Sequence, residues 1–180
     1  MSVPKLLVHI CCAPCLIAPY QKLKAVQTDI TGYWYNPNIH PYTEYVIRRD
    51  TLKAFAEKEN LPMLWEDDYD LEGFLQNTAP NPEERCAQCY RMRLLQTVLT
   101  AKHHGFTAFT STLLYSKYQK HDLIREIVEG LSAEYGIAFY YEDWRPLWQE
   151  GIELSKQAEM YRQPYCGCIY SEKERYHKRK

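Results

Sequence analysis

A strand signal comes directly before a helix signal in Lys5-Leu6-Leu7-Val8-His9-Ile10-Cys11-Cys12-Ala13-Pro14-Cys15. The apolar run at residues 5–8 predicts a short buried strand. Pro14 suits the first turn of a helix, which we expect over residues 15–25. The thiols of Cys11, Cys12 and Cys15 therefore lie near a helix N-terminus. Backbone N–H groups there favour thiolate, the form that binds metal or attacks electrophiles.

The rest of the chain alternates between predicted strands and predicted helices. Further strands are expected at residues 29–35, 62–65, 106–113 and 137–141, and further helices at 42–60, 83–104, 122–135, 147–161 and 169–179. This alternation predicts an α/β fold with a doubly wound, mainly parallel sheet that helices cover on both faces. Because no linker or repeat divides the 180 residues, we expect a single domain, 1–180, with a helical C-terminal segment.

The parallel sheet predicts where a site forms. Ligands of such sheets bind beyond the carboxyl ends of the strands. Three segments leave predicted strands at that edge, and they are residues 9–15, 36–41 and 112–116. The helix over residues 83–104 begins at the same edge only if the loop before it folds back, and we predict that it does.

Composition and charge narrow the class of protein. A net charge of −1 argues against a uniformly basic nucleic-acid binder, although residues 173–180 carry five Lys or Arg against one Glu. No apolar run reaches the roughly 20 residues of a membrane span, and we see no signal-peptide pattern. We therefore expect a cytoplasmic protein without a membrane partner. In that reducing compartment, seven cysteines indicate metal or redox chemistry and not a disulfide framework.

Five of the cysteines form a candidate metal site. Cys86 and Cys89 are three residues apart, so both sulfur atoms face one side of a helical turn. Together with Cys11, Cys12 and Cys15 they offer thiolate ligands suited to zinc or to an iron–sulfur cluster. Adjacent cysteines share one tetrahedral ion poorly but reach different irons of a larger cluster, which favours iron–sulfur over zinc.

The remaining pair, Cys166 and Cys168, flanks Gly167. A disulfide closed over so small a ring is strained and readily reduced, which suits redox use. The alternative is a second pair of metal ligands. The chain has neither a Gly-x-Gly-x-x-Gly run nor a Walker-type loop, so nothing supports a bound dinucleotide or an ATP-driven step. Electrons must then come through metal or thiols from an external electron donor.

Five motifs in order resemble the cobalamin-independent epoxyqueuosine reductase family of the QueH type. They cover almost the whole chain and comprise residues 9–15, residues 36–41 with Glu44, Tyr45 and Arg48, residues 85–91 with Arg93 and Leu94, residues 112–116, and residues 161–168. The resemblance implies a fold of the HUP or adenine-nucleotide-hydrolase type. It also implies an activity, namely reduction of the epoxide of epoxyqueuosine at the wobble position of tRNA to give queuosine.

The resemblance also implies roles for individual cysteines. By this resemblance, the ligands of a 4Fe–4S cluster are Cys11, Cys12, Cys86 and Cys89. Cys166 and Cys168 correspond to a redox-active disulfide. Some members have an additional iron ion beside the cluster, with an Asp where this chain has Cys15. A second departure is Lys117, at a position where we expect Pro.

Several roles remain open from the residues alone. Candidate proton donors are His9, His40 and Tyr165, and we expect Arg91 or Arg93 to contact tRNA phosphates together with the basic tail. Two alternatives to the reductase are a tRNA-thiolating sulfur transferase, which normally needs ATP, and a zinc- or cluster-binding module without catalytic activity.

Overall fold

The computed structural model describes residues 5–26 and 29–177. Its five strands are β1 Leu6–His9, β2 Ile30–Trp34, β3 Met63–Trp65, β4 Ala108–Ser111 and β5 Ala138–Phe139. Its seven α-helices are α1 Ala13–Val26, α2 Tyr42–Glu59, α3 Leu71–Thr78, α4 Arg85–His103, α5 His121–Tyr135, α6 Trp148–Gln157 and α7 Ile169–Tyr176. Strands and helices alternate as predicted from β1 to β5, except that α3, which is not among the predicted helices, precedes α4 between β3 and β4.

The strands form one parallel sheet in the order β3-β2-β1-β4-β5. Strand β1 is central, with Leu6 paired to Ile30 of β2 on one side and to Ala108 of β4 on the other. The chain runs outward from β1 to β3 and then crosses over β1 to begin β4. The strand order therefore reverses between β1 and β4, and such a reversal leaves a crevice at the carboxyl ends of the two strands.

Helices pack on the sheet in two groups, as a doubly wound fold requires. Helix α1 contacts α2 and α6, whereas α4 contacts α3 and α5. Strand β1 lies between the groups and is buried at every position, which explains its unbroken apolar sequence. The predicted α/β fold with a mainly parallel sheet is confirmed.

Element ends differ from the predicted ones for local reasons. The predicted strand 106–113 stops at Ser111, because its hydroxyl accepts a hydrogen bond from the N–H of Leu113 and starts the 3₁₀ turn Thr112–Leu114. Helix α6 ends at Gln157 and not at 161, since Glu159 has a left-handed φ of 51°. The predicted helix 169–179 is seen as far as Tyr176, and residues 178–180 lie outside the described residues.

None of the helices in the described ranges is both long and apolar enough to cross a membrane.

Candidate functional site

The ends of β1 and β4 are joined by side-chain hydrogen bonds. The His9 Nε2–H group donates to the carbonyl oxygen of Tyr35 at 3.1 Å, so Nδ1 accepts from the Ser111 hydroxyl at 2.8 Å. Two residues further along, the Cys11 N–H group donates to Thr112 Oγ1 at 3.0 Å, and the Thr112 hydroxyl donates to Cys11 Sγ at 3.2 Å. These contacts fix the first cysteine segment in the crevice where the strand order reverses.

Three sulfur atoms meet in that crevice. The Sγ atoms of Cys11 and Cys12 are 3.8 Å apart, those of Cys12 and Cys15 are 2.8 Å apart, and all three lie within 4.8 Å of one another. Cys12 and Cys15 are buried and Cys11 is half-buried. Among residues 5–26 and 29–177, this triad is the one group of three or more side chains placed to hold a metal ion.

The three thiols of the triad differ in the direction of their pKa shifts. Hydrogen bonds from the thiols of Cys12 and Cys15 hold the pKa of Cys11 well below its usual value, and the charge of Arg93 acts in the same direction. Burial raises the pKa of Cys12, and the hydrogen bond to Cys11 raises that of Cys15. Of the three thiols, that of Cys11 therefore ionises most readily. Clustered sulfur donors of this kind fit a soft metal such as zinc or iron.

Gln163 covers the triad. Its Nε2 group donates to Cys12 Sγ at 2.8 Å and to Cys15 Sγ at 3.5 Å. Its Oε1 atom is buried and has no partner in the described part of the chain. The sequence indicates Gln163 only as part of a motif, and its role depends on the return of the C-terminal segment to the end of β1.

Arg93 is a buried cation beside the sulfur atoms. Its side chain is 2 % exposed and donates to Asn36 Oδ1 at 2.8 Å and to Cys89 Sγ at 3.9 Å. No carboxylate within the described ranges pairs with it. A buried cation needs an anionic partner, so the arrangement supports thiolates around Arg93. Arg93 is buried but lines the cavity beside Cys11, whereas Arg91 is exposed, and the expected contact of either residue with tRNA phosphates stays a prediction.

The second cysteine segment lies at the start of α4. A 3₁₀ turn at Pro82–Glu84 leads into the helix, and Cys89 is linked through Arg93 to Asn36, which follows β2. The loop before α4 thus folds back to the carboxyl edge, as predicted. Burial raises the pKa of Cys89 to about 12, although the charge of Arg93 acts in the opposite direction. Cys86 is half-buried, and both residues lie outside the triad described above.

A buried ion pair clamps the third cysteine segment. The Arg48 guanidinium donates to the carbonyl oxygens of Cys166 and Tyr165 at 2.9 and 3.1 Å. Its Nε group donates to Glu44 at 2.6 Å, and Glu44 also accepts from the Tyr161 hydroxyl at 2.6 Å. Every donor and acceptor of this network lies on α2 or in residues 161–166. The network therefore holds the backbone before Cys166 against α2.

Gly167 has a backbone that other residues rarely adopt. Its φ is +146°, and a Cβ atom there would lie 3.1 Å from Asn38 Nδ2 and 3.2 Å from Arg48 Nη1. The His40 N–H group donates to the Gly167 carbonyl at 2.8 Å. Glycine is thus required for its positive φ and for the close approach of α2, and the turn is held rather than loose.

The two cysteines beside Gly167 differ in environment, and both are free thiols in this structure. Cys166 is exposed, and its Sγ atom accepts a hydrogen bond from Gln119 at 3.2 Å. Tyr90 orients Gln119 by donating to its Oε1 atom at 2.7 Å. Cys168 is half-buried and caps α7, because its Sγ atom accepts from the Ser171 N–H group at 3.4 Å.

The three candidate proton donors have structural roles. Burial lowers the pKa of His9 to about 3, and both ring nitrogens have partners. Burial lowers the pKa of His40 to about 4, and its Nδ1 atom accepts from the Ile169 N–H group. Burial raises the pKa of Tyr165 to about 12, and its hydroxyl donates to the His40 carbonyl at 2.5 Å. His40 and Tyr165 thus attach the C-terminal segment to the rest of the fold, whereas His9 links the ends of the central strands.

The first and third cysteine segments line one cavity. The cavity has a volume of about 820 Å³ and is lined by sulfur-bearing Cys11, Cys15 and Cys166. Its other lining residues include the basic side chains Lys117, Arg162 and Arg175, as well as Arg93. The cavity therefore gives access to two cysteines of the triad and to one thiol of the Cys-Gly-Cys segment.

Comparison with known proteins identifies relatives over nearly the full chain. A family model described as epoxyqueuosine reductase QueH matches residues 6–174. The chain is 37 % identical to the epoxyqueuosine reductase QueH of Dehalococcoides mccartyi, over 97 % of this chain and 96 % of that protein. It is 35 % identical to that of Acinetobacter baylyi, covering 94 % and 81 %, and 31 % identical to that of Thermotoga maritima, covering 94 % and 91 %. The chain therefore belongs to the epoxyqueuosine reductase QueH family.

Proposed function

We propose that the protein reduces the epoxide of epoxyqueuosine at the wobble position of tRNA and so forms queuosine. Family membership supports the reaction. The structural observation that carries it is the shared cavity, which is lined by Cys11 and Cys15 of the first segment and by Cys166 of the third. A substrate that enters this opening meets metal-binding and redox-capable thiols together.

Our proposal assigns a 4Fe–4S cluster to Cys11, Cys12, Cys86 and Cys89. The residues fit such a group because their donors are soft thiolates and because the uncompensated charge of Arg93 lies beside Cys11 and Cys89. When bound, an iron–sulfur cluster supplies single electrons and Lewis acidity.

In this proposal, Cys15 binds an additional iron ion. It lies in the triad with Cys11 and Cys12, and its side chain lines the cavity. A thiolate at this position offers a softer donor than the carboxylate that other members carry there, so iron or zinc suits it better than magnesium.

Cys166 and Cys168 provide the two-electron step in this proposal. Oxidation of the two thiols to one disulfide releases two electrons and two protons. Conversion of the epoxide to an alkene consumes two electrons and two protons, and the oxygen leaves as water, so the two changes balance. An external electron donor then reduces the disulfide for the next turnover. The exposure of Cys166 gives such a donor access.

The substrate reaches the cavity as a single unstacked nucleotide. Enzymes that act on a base take it out of its stack and hold the flanking backbone through phosphate contacts. The exposed cations Lys117, Arg162 and Arg175 on the cavity lining suit that second task.

An anaerobic conversion assay without ATP tests the proposal. Protein purified without oxygen is assayed for iron and sulfide, then incubated with tRNA that contains epoxyqueuosine and with a chemical reductant. We expect a brown protein and a nucleoside that has lost one oxygen atom. A colourless zinc protein without conversion would indicate the metal-binding module, and a nucleoside that gains sulfur would indicate the transferase.

A further inference from the structure

Three neighbouring side chains form an exposed aromatic and cationic group at the cavity, here called the rim platform: Lys117, Tyr118 and Trp148. The Tyr118 ring is 77 % exposed, the largest exposure among the large hydrophobic side chains of the described residues. Its centroid lies 5.4 Å from that of Trp148 at an interplanar angle of 84°. All three residues line the cavity that contains Cys11 and Cys166.

The cation of the platform is placed over both rings. Lys117 Nζ lies 5.4 Å from the centroid of Tyr118 and 5.3 Å from that of Trp148. No carboxylate of the described residues pairs with this ammonium group. An ammonium group over an aromatic ring keeps its charge available to an incoming anion.

The platform is supported from below. Tyr115 packs under Trp148 with centroids 5.3 Å apart, and its hydroxyl donates to the Trp148 carbonyl at 3.1 Å. Gly151 makes this possible, because a Cβ atom there would lie 2.1 Å from the Tyr115 hydroxyl. The indole is therefore held by α6 and by the segment after β4, whereas Tyr118 and Lys117 reach outward from it.

The charge around the cavity complements a polyanion. The protein as a whole has a net charge of −1. The cavity lining nevertheless includes four basic residues, namely Arg93, Lys117, Arg162 and Arg175, against one acid, Glu174. Glu174 itself pairs with Arg85. Arg93 is buried, and the other three basic residues give the rim of the cavity an exposed positive charge.

We infer that the rim platform binds the nucleotide next to the one that enters the cavity. The exposed Tyr118 ring stacks on its base, Trp148 supports Tyr118 through their edge-to-face contact, and Lys117 binds its phosphate. This inference rests on the proposed function for the identity of the RNA, and it adds the residues that grip the flanking nucleotide. Aromatic rings with an adjacent cation are a common arrangement for unpaired nucleotides, since every base has a face to stack on.

Binding of an anticodon stem-loop RNA that lacks the epoxide tests the platform without relying on catalysis. Stacking of a base on an aromatic side chain contributes about 1–3 kcal/mol, so we expect Tyr118→Ala to raise Kd at least about fivefold. Trp148→Leu removes the ring that supports Tyr118 and should raise Kd in the same direction. Lys117→Gln should also raise Kd and should reduce the slope of log K against log salt by roughly 0.7, the value for one phosphate contact on a single strand. The aromatic substitutions should leave that slope unchanged.

Matched controls come from a similar group elsewhere. Lys53 Nζ lies 5.3 Å from the Trp65 ring, and Tyr42 is 55 % exposed, yet none of these residues lines the cavity. Lys53→Gln and Tyr42→Ala should leave Kd and the salt slope unchanged. Because Lys117 and Tyr118 are exposed, their substitutions test the inference even if Trp148→Leu disturbs α6.

The outcomes separate this inference from the proposed function. Unchanged Kd and salt slope in Lys117→Gln and Tyr118→Ala overturn the platform, even if the protein reduces epoxyqueuosine. Weakened RNA binding in these variants supports the platform, even if no epoxide is reduced. In an active enzyme the same substitutions should raise KM for tRNA.

Discussion

Arg93 shows how one residue connects charge, packing and cofactor chemistry. The sequence places this arginine on a helix near a cysteine pair, where a contact with phosphate is the simplest expectation. In the structure the guanidinium is 2 % exposed and lies between Asn36 and Cys89. Its burial without a carboxylate is favourable only if neighbouring sulfur atoms carry negative charge.

Substitution of Arg93 should therefore weaken the cofactor site. We expect Arg93→Gln to lower the affinity for the metal about 10- to 100-fold relative to the unsubstituted protein. This is the usual effect of removing a group that supports metal ligands. The iron content of each variant after anaerobic reconstitution measures this loss of metal affinity. Arg91→Gln is the matched control, because Arg91 is exposed on the same helix. Equal iron retention in the two variants would contradict the role of Arg93.

Gly167 permits a second test on a single residue. An alanine at its φ of +146° would be strained and would crowd Asn38, so we expect Gly167→Ala to destabilise the fold by about 1–3 kcal/mol. Turnover should fall while iron content stays. Gly130 in α5 has open space around its Cβ position, so Gly130→Ala should instead stabilise the helix by about 1 kcal/mol. Denaturant unfolding of both variants measures the difference, and equal effects would be evidence against a constrained turn.

At the scale of elements, most of the fold was predictable from periodicity and breakers. The run at residues 5–8 marked β1, and the left-handed Gly136 ended α5 as a glycine does. Boundaries were less predictable, because β5 contains only Ala138–Phe139 and the strand before Thr112–Leu114 ends on a side-chain cap. Such ends depend on hydrogen bonds to particular atoms, which hydrophobic spacing does not encode.

The attachment of the C-terminal segment to α2 is a further property of elements. Arg48→Ala should destabilise the protein by about 3–5 kcal/mol, since it leaves Glu44 buried without its ionic partner. Turnover should fall too, because Arg48 holds the carbonyl of Cys166. Arg49→Ala, which removes more exposed ion pairs to Asp50 and Asp67, should cost about 0–1 kcal/mol. A loss of similar size in both variants, measured by chemical denaturation, would rule out the clamp.

At the scale of the whole molecule, parallel strands account for the position of the site. The sequence predicted that segments after three strands meet at one edge, and the strand order β3-β2-β1-β4-β5 places the first cysteines at the reversal between β1 and β4. Contacts across long stretches of chain were beyond prediction. Gln163 reaches Cys12, and Arg48 reaches Cys166, only because the C-terminal segment returns to the site. No local pattern specifies such a return.

The roles assigned to the cysteines are tested most directly by measuring iron content and turnover together on cysteine variants. Protein prepared without oxygen should carry about four irons per chain in one cluster, in addition to the iron ion assigned to Cys15. Cys166→Ser and Cys168→Ser should each keep that iron while reduction of epoxyqueuosine in tRNA collapses. Cys86→Ser and Cys89→Ser should lose both iron and turnover. Iron loss in the Cys166 and Cys168 variants, or full turnover without their thiols, would contradict the assignment.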